Sequence, residues 1–292
     1  MKIGFIGLGN MGGHMSANLV RGGFQVAGYD FSAQACEQAA AKGVKIAASL
    51  AEAVRGADAI ITMLPVGDDV LATWAEAFAS AQPGALFIDS STIDVEQSRQ
   101  AHALARAKNF GNVDAPVSGG VGGAEAATLT FMCGGLSADV ERARPILEKM
   151  GKKIVNCGAD GAGQAAKIVN NMILGVQMMG VCEGFLLGEK LGLTAQAMYD
   201  VFSTSSSYCW AINQYCPAPD IVPTAPSSND YKAGFATALM LKDMRLSQAA
   251  AKATGRTTPF AARAADVFAD FAENGHAAED FSGVIRFLAE KL

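Results

Sequence analysis

Three groups of residues have the types and spacing to do chemistry. The first is Gly7-Leu8-Gly9-Asn10-Met11-Gly12, which follows the apolar run 2–6 at once and opens an amphipathic helical pattern. Gly7 permits a tight turn, Gly9 lets a pyrophosphate approach the backbone, and Gly12 lets the helix pack closely on the strand. The helix N-terminus offers N–H groups and partial positive charge to phosphates. A second strand-like run, 24–29, ends in Asp30, where a carboxylate can accept both ribose hydroxyls of a dinucleotide. That carboxylate would repel a 2′-phosphate and no Arg follows to bind one, so the pattern predicts NAD over NADP. Lys42 lies too far along the next helix to be an obvious substitute.

The second group is Ser118-Gly119-Gly120, at the end of the run Asp114-Ala115-Pro116-Val117. Two glycines after a serine make a loop whose N–H groups can approach an anion, and the hydroxyl adds a donor. This is a clamp for a small carboxylate, or a plain turn. The third group is Lys167 and Asn171, behind Gly161-Ala162-Gly163-Gln164. Four residues apart, they share one helix face. A lysine among small apolar neighbours must snorkel, pair or function. In a functional role it can exchange a proton with an alcohol oxygen while a nicotinamide exchanges the hydride. Lys242 and Asp243 sit together in another apolar helix. If Lys242 lies near Lys167, its charge favours a neutral amine there. Asp243 could equally be an ion-pair partner of either lysine.

The elements that must position these groups alternate through the first half. Strands are predicted at 44–47, 59–64 and 85–89, with shorter ones near 111–114, 128–133 and 153–156, and helices at 70–81, 95–108 and 137–150. This rhythm predicts a parallel sheet covered on both faces. After Gly163 strand signals nearly vanish. One long helix is predicted over 164–191, with others at 195–202, 235–254 and 258–274, and a Ser-, Pro- and Asn-rich loop over 203–232. The expected fold class is α/β: an N-terminal Rossmann-like doubly wound sheet over residues 1–162 and an all-helical C-terminal domain over 163–292, entered through the long helix. Ligand is expected at the carboxyl ends of the strands, in the crevice facing the second domain.

Composition narrows the function classes. The formal net charge is -5 over 292 residues and no Lys/Arg cluster stands out, which argues against nucleic acid and anionic membrane surfaces as partners. The apolar stretch 172–188 is interrupted by Gln177 and Glu183 and reads as a buried helix, not a membrane span. The chain starts on its first strand, so no signal or transit peptide is expected, and the expected location is cytoplasmic. None of the 6 cysteines forms a Cys-x-x-Cys pair and the 3 histidines are scattered, so no metal site is expected and the thiols are read as reduced. A Cys209–Cys216 disulfide is not favoured. Apolar helix faces in the second domain predict a homo-oligomer, dimer or tetramer.

The chain resembles the β-hydroxyacid dehydrogenase family over essentially its whole length. The resemblance is carried by the fingerprint, Asp114–Glu125, Gly161–Lys167 and Lys242-Asp243. Within the family, Ser207-Tyr208-Cys209-Trp210, Tyr215–Pro219 and Tyr231–Phe235 mark the subgroup acting on 3-hydroxyisobutyrate. The resemblance implies NAD as cofactor and a small hydroxyacid as substrate. It makes Lys167 the catalytic lysine, Asn171 the residue orienting the substrate, and Ser118, Gly119 and Gly120 the carboxylate loop. Trp210 belongs to the substrate pocket in this reading. Leu64 and Pro65 match contacts to the adenosine side of the cofactor, Thr92 a contact near the nicotinamide, and Lys242 a cofactor-contacting lysine with Asp243 beside it. Two positions depart from the pattern: Ala211 where relatives often carry Ser, and Ala127 where Gly is frequent. The rival readings are a reductase of tartronate or succinic semialdehyde, a dehydrogenase preferring another hydroxyacid such as serine, and a dinucleotide-binding sensor without turnover.

Overall fold

The computed structural model describes residues 1–291. The chain divides into two units, Met1–Lys167 and Ile168–Leu292.

In chain order the first unit contains β1 (Lys2–Ile6), α1 (Gly12–Arg21), β2 (Gln25–Tyr29), α2 (Ala33–Ala40), β3 (Lys45–Ile46), α3 (Leu50–Val54), β4 (Ala59–Thr62) and α4 (Gly67–Ala77). It continues with β5 (Leu86–Asp89), α5 (Val95–Ala107), β6 (Gly111–Asp114), β7 (Val117–Ser118), α6 (Gly120–Glu125), β8 (Leu129–Gly135), α7 (Ser137–Leu147) and β9 (Gly151–Gly158). The sheet order is β3-β2-β1-β4-β5-β6-β8-β7, with β9 on β8. From β3 to β6 every pairing is parallel, as the alternating pattern predicts. The strands are apolar on both faces because helices cover both. Ile3, Phe5, Ile60, Ile61, Phe87 and Ile88 have no exposed surface. Short polar side chains start several helices: Ser32, Ser49 and Asp94 each accept a backbone N–H of the first turn.

Beyond β6 the sheet departs from the all-parallel expectation. β8 runs antiparallel to β6 and β7 and parallel to β9. The chain from β6 to β7 follows one side of β8 throughout, broken at Ala115-Pro116. Proline cannot donate to a ladder, but its carbonyl accepts the Met132 N–H at 3.0 Å. The pattern missed β7 and α6, since two residues carry no period and Gly119 to Gly123 reads as loop. Gly119 (φ 134°) and Gly120 (φ 62°) make the turn between them, which only glycine adopts without strain.

Ala127 occupies the left-handed region at φ 55°. An L side chain there costs roughly 1–2 kcal/mol that glycine would not incur. Ala127→Gly is expected to raise stability by about 0.5–1 kcal/mol once the added freedom of the unfolded chain is subtracted. An unchanged or lowered urea midpoint would contradict this.

The second unit is helical. α8 (Ala162–Lys190) begins in the first unit. α9 (Ala195–Phe202), α10 (Trp210–Asn213), α11 (Thr237–Ala253), α12 (Pro259–Phe271) and α13 (Val284–Lys291) follow. Among the described residues its β structure is one isolated bridge between Ala236 and Asp280. α8 is long and apolar enough to cross a membrane by length and composition. In the fold, its Met178, Val181, Cys182 and Phe185 are buried in a core with Phe268, Phe271 and Phe281, at helical spacing. All 6 cysteines are free thiols, Cys209 and Cys216 included. Asp114 of the sheet accepts the Gly161 and Gln164 N–H groups at the start of α8.

Candidate active site

The turn from Gly7 to Gly12 is built by close approach. A Cβ on Gly7 would overlap the Met63 carbonyl oxygen, and one on Gly12 would overlap that of Gly7. Gly9 faces open space, with nothing within 4 Å of where its Cβ would stand. No side chain caps α1, and its Gly13 and His14 N–H groups donate to the Gly9 and Met11 carbonyls at 2.9 and 3.1 Å. Asp30 stands at the end of β2. One carboxylate oxygen accepts the Leu8 N–H at 2.7 Å and the other the Ser32 N–H at 2.8 Å. A carboxylate has about four acceptor sites, so capacity for ribose hydroxyls remains. The open face and the carboxylate fit a dinucleotide. Bound NAD supplies the hydride acceptor.

Lys42 lies past the end of α2, and it lines the cavity formed by Leu8, Gly9, Asn10, Gly13 and His14. Its Nζ stands 3.3 Å from His14 Nε2. Burial, and then the Lys42 charge, hold the His14 imidazole below its ordinary range. A cation therefore borders the fingerprint.

The loops after β4 and β5 carry Leu64, Pro65 and Thr92, and a polar chain ties them together. The Ser91 hydroxyl accepts the Leu64 N–H at 2.8 Å and donates to Asp89 Oδ1 at 2.7 Å. The Thr62 hydroxyl donates to the same oxygen at 2.8 Å. Burial pushes the Asp89 carboxyl up to about 6, against the downward pull of these hydrogen bonds. Ser118 is half-buried and Gly119 and Gly120 are exposed, at the start of α6. Asn18 of α1 holds that short helix, donating to the Ala124 carbonyl at 2.6 Å. Lys167 lies in the second turn of α8 and is only 8% exposed.

The remaining predicted residues belong to the second unit. Asn171 is buried one helical turn beyond Lys167, and its Nδ2 donates to Asp243 Oδ2 at 2.6 Å. Asn170 Nδ2 donates to Asn171 Oδ1 at 3.0 Å. The amide thus has its orientation fixed by a buried carboxylate. Lys242 Nζ stands 3.6 Å from Asp243 Oδ1, an ion-pair distance. Trp210 is half-exposed and stacks on Tyr215 with ring centroids 4.6 Å apart. The Tyr215 hydroxyl donates to buried Asp280 at 2.7 Å. Burial and then the Asp280 charge raise its pKa far above the usual phenol range. The sequence reading did not single out Asp280, Asp89, His102 or Gln164 for a role. A buried carboxylate gathering hydrogen bonds from distant segments has no local signature. Only the Gly-Ala-Gly-Gln run before Lys167 carries a hint of Gln164.

Two family descriptions divide the chain between them. "NAD binding domain of 6-phosphogluconate dehydrogenase" matches residues 2–158, and "NAD-binding of NADP-dependent 3-hydroxyisobutyrate dehydrogenase" matches 161–288. The solved structure of Mycobacterium tuberculosis 3-hydroxyisobutyrate dehydrogenase with L-serine is similar at 53% identity, with a TM-score of 0.94 and 98% of each chain covered. A mitochondrial 3-hydroxyisobutyrate dehydrogenase of Drosophila melanogaster is 42% identical over 97% of this chain and 88% of its own. An NAD-dependent L-serine dehydrogenase of Pseudomonas aeruginosa is 41% identical over 97% of this chain and 96% of its own. With a dinucleotide turn, an Asp30 carboxylate and whole-length likeness to such enzymes, the chain belongs to the 3-hydroxyisobutyrate dehydrogenase family of β-hydroxyacid dehydrogenases and is an NAD-dependent oxidoreductase.

Proposed function

We propose that the protein oxidises 3-hydroxyisobutyrate to methylmalonate semialdehyde, a step of valine breakdown. The observation that carries this reading is a buried lysine, Lys167, one turn from an asparagine whose amide a buried carboxylate orients. In the proposed reaction the hydroxyl proton passes to the Lys167 amine as the hydride leaves the same carbon for NAD, and the C–O bond becomes a carbonyl. Ser118, Gly119 and Gly120 take the substrate carboxylate, and Asn171, backed by Asp243, orients it. Trp210, stiffened by Tyr215, shapes the pocket around the methyl group. Gly7 to Gly12 and Asp30 hold the pyrophosphate and ribose, Leu64 and Pro65 the adenosine side and Thr92 the nicotinamide side. Lys242 contributes charge to the cofactor.

Serine is the second reading, favoured by a 41% identical relative named for that substrate and by the L-serine in the Mycobacterium structure. A pocket separates substrates differing by one methyl group by only about 1–3 kcal/mol, so slow turnover of 3-hydroxypropionate is expected, whereas serine puts an ammonium in place of the methyl and needs a polar partner for it. Reduction of tartronate or succinic semialdehyde with NADPH is disfavoured by Asp30. We place the protein in the cytoplasm as a homo-oligomer. Its free cysteines support the first and the exposed Val169, Ile173, Leu187 and Leu191 of α8 the second. Initial rates of NADH or NADPH formation decide the substrate, with 3-hydroxyisobutyrate, serine, 3-hydroxypropionate, 4-hydroxybutyrate and glycerate compared. The highest kcat/KM is expected for 3-hydroxyisobutyrate with NAD. A preference for serine would hand the assignment to the second reading.

A further inference from the structure

A buried polar network in the first unit has no part in the proposed reaction, yet it joins two of the segments that take part. Asp114 and His102 are each 1% exposed. Asp114 Oδ1 lies 2.8 Å from His102 Nε2 and accepts the Gly161 N–H at 2.9 Å. Its Oδ2 accepts the Gln164 N–H at 2.9 Å. A carboxylate thus caps the first turn of α8, where the helix dipole favours negative charge. Close packing at that turn requires Gly163, whose Cβ would overlap the Met132 carbonyl oxygen. On the far side, His102 Nδ1 stands 3.3 Å from Asp160 Oδ1, and Arg106 donates to Asp160 Oδ2 at 2.6 Å.

Gln164 has no exposed surface and spans to the loop after β5. Its Nε2 donates to the Ser91 carbonyl at 2.8 Å, and its Oε1 accepts the Ile93 N–H at 3.1 Å. Those two bonds bracket Thr92. Lys167 lies three residues further on, on the same face of α8 as Gln164.

We propose that Gln164, with Asp114 held by His102, is the positioning unit that fixes Lys167 against the Thr92 loop. Asp114 sets where the helix starts. Gln164 then locks the rotation and height of that turn to the backbone on either side of Thr92. The proposal rests on the reading of Lys167 as proton acceptor. A misplacement of about 1 Å can cost about a hundredfold in rate, so a residue that touches neither substrate nor cofactor can still control the chemical step.

The test is a double-mutant cycle read by single-turnover NADH formation, with NAD affinity followed by fluorescence to show an intact fold. Gln164→Ala is expected to slow the step by about tenfold or more. The double variant Gln164→Ala/Lys167→Ala is expected to be no slower than Lys167→Ala alone, because Gln164 acts only through Lys167. Losses that multiply while Lys167→Ala is slow would overturn the positioning proposal alone. A Lys167→Ala enzyme as fast as the parent would remove the proton-acceptor reading and this proposal with it.

Gln164→Glu gives an independent readout should the alanine variant fold poorly. A protonated glutamic acid makes both bonds, donating to Ser91 O and accepting from Ile93 N–H. An ionised one cannot donate. Burial, the facing Asp114 carboxylate and the more distant Asp89 raise its titration, and Lys167 one turn on lowers it. Activity relative to the parent is expected to be near parental at low pH and to fall by about tenfold or more between about pH 6 and about pH 9 as the proton is lost. A ratio that stays flat would overturn the proposal.

Discussion

Lys167→Ala is expected to lower the rate of the chemical step by about a hundredfold or more, the usual contribution of a positioned acid–base group. NAD affinity should change by no more than about twofold, since the interaction lost belongs to the transition state. The residue is buried, so truncation also leaves a cavity, and a modest fall in thermal stability should accompany the loss of rate. The two effects separate cleanly. A primary isotope effect with substrate deuterated at the hydride-bearing carbon should emerge or grow in the variant, because chemistry then limits turnover. A variant with unchanged kcat, or one slowed without any isotope effect, would show that the proton goes elsewhere.

Asp30→Ser is expected to lose most of the preference for NAD. Hydrogen bonds to a charged group contribute about 1.5–3 kcal/mol, so kcat/KM with NAD should fall roughly ten- to hundredfold. Activity with NADP should rise at the same time, because the repulsion of a 2′-phosphate is removed and Lys42 already borders the cavity in front of Gly9. The variant Asp30→Ser/Lys42→Ala isolates that second part: its NADP activity should drop back while its NAD activity stays near that of the single variant. If Asp30→Ser keeps the parental NAD preference, discrimination lies elsewhere in the fingerprint. Asp30 also accepts the Leu8 N–H, so some loss with both cofactors is expected from a loosened turn.

The parts of this design legible in the sequence are those with a local physical cause. The fingerprint can be read because its glycine spacing is local, although the steric demands behind it are not all so: Gly12 answers to Gly7, Gly7 answers to the distant Met63 carbonyl, and Gly9 faces open space. The long helix can be read because its buried positions recur at helical spacing. The φ of 55° at Ala127 could not be read, because alanine carries no signal for a left-handed conformation. The antiparallel turn of β8 could not be read, because strand direction depends on where a chain returns and not on what it is made of. Gln164 and Asp114 were visible as letters, but their partners lie 71 and 50 residues away in the chain. The approach of Lys42 to His14, 28 residues away in the chain, was hidden for a related reason.

The order of the sheet bears on how the protein assembles. β6 and β7 pair with β8 across about a dozen to two dozen residues, and such short closures are entropically cheap and fast. β1, the first strand in chain order, sits between β2 and β4, and Ile3 pairs with Ala59 across more than fifty intervening residues. The turn after β1 is shaped by the Met63 carbonyl from the end of β4. The turn from Gly7 to Gly12 is therefore completed late. Recovery of NAD binding during refolding should lag the formation of the β6–β9 segment, making cofactor affinity a reporter of the last steps of assembly rather than of collapse.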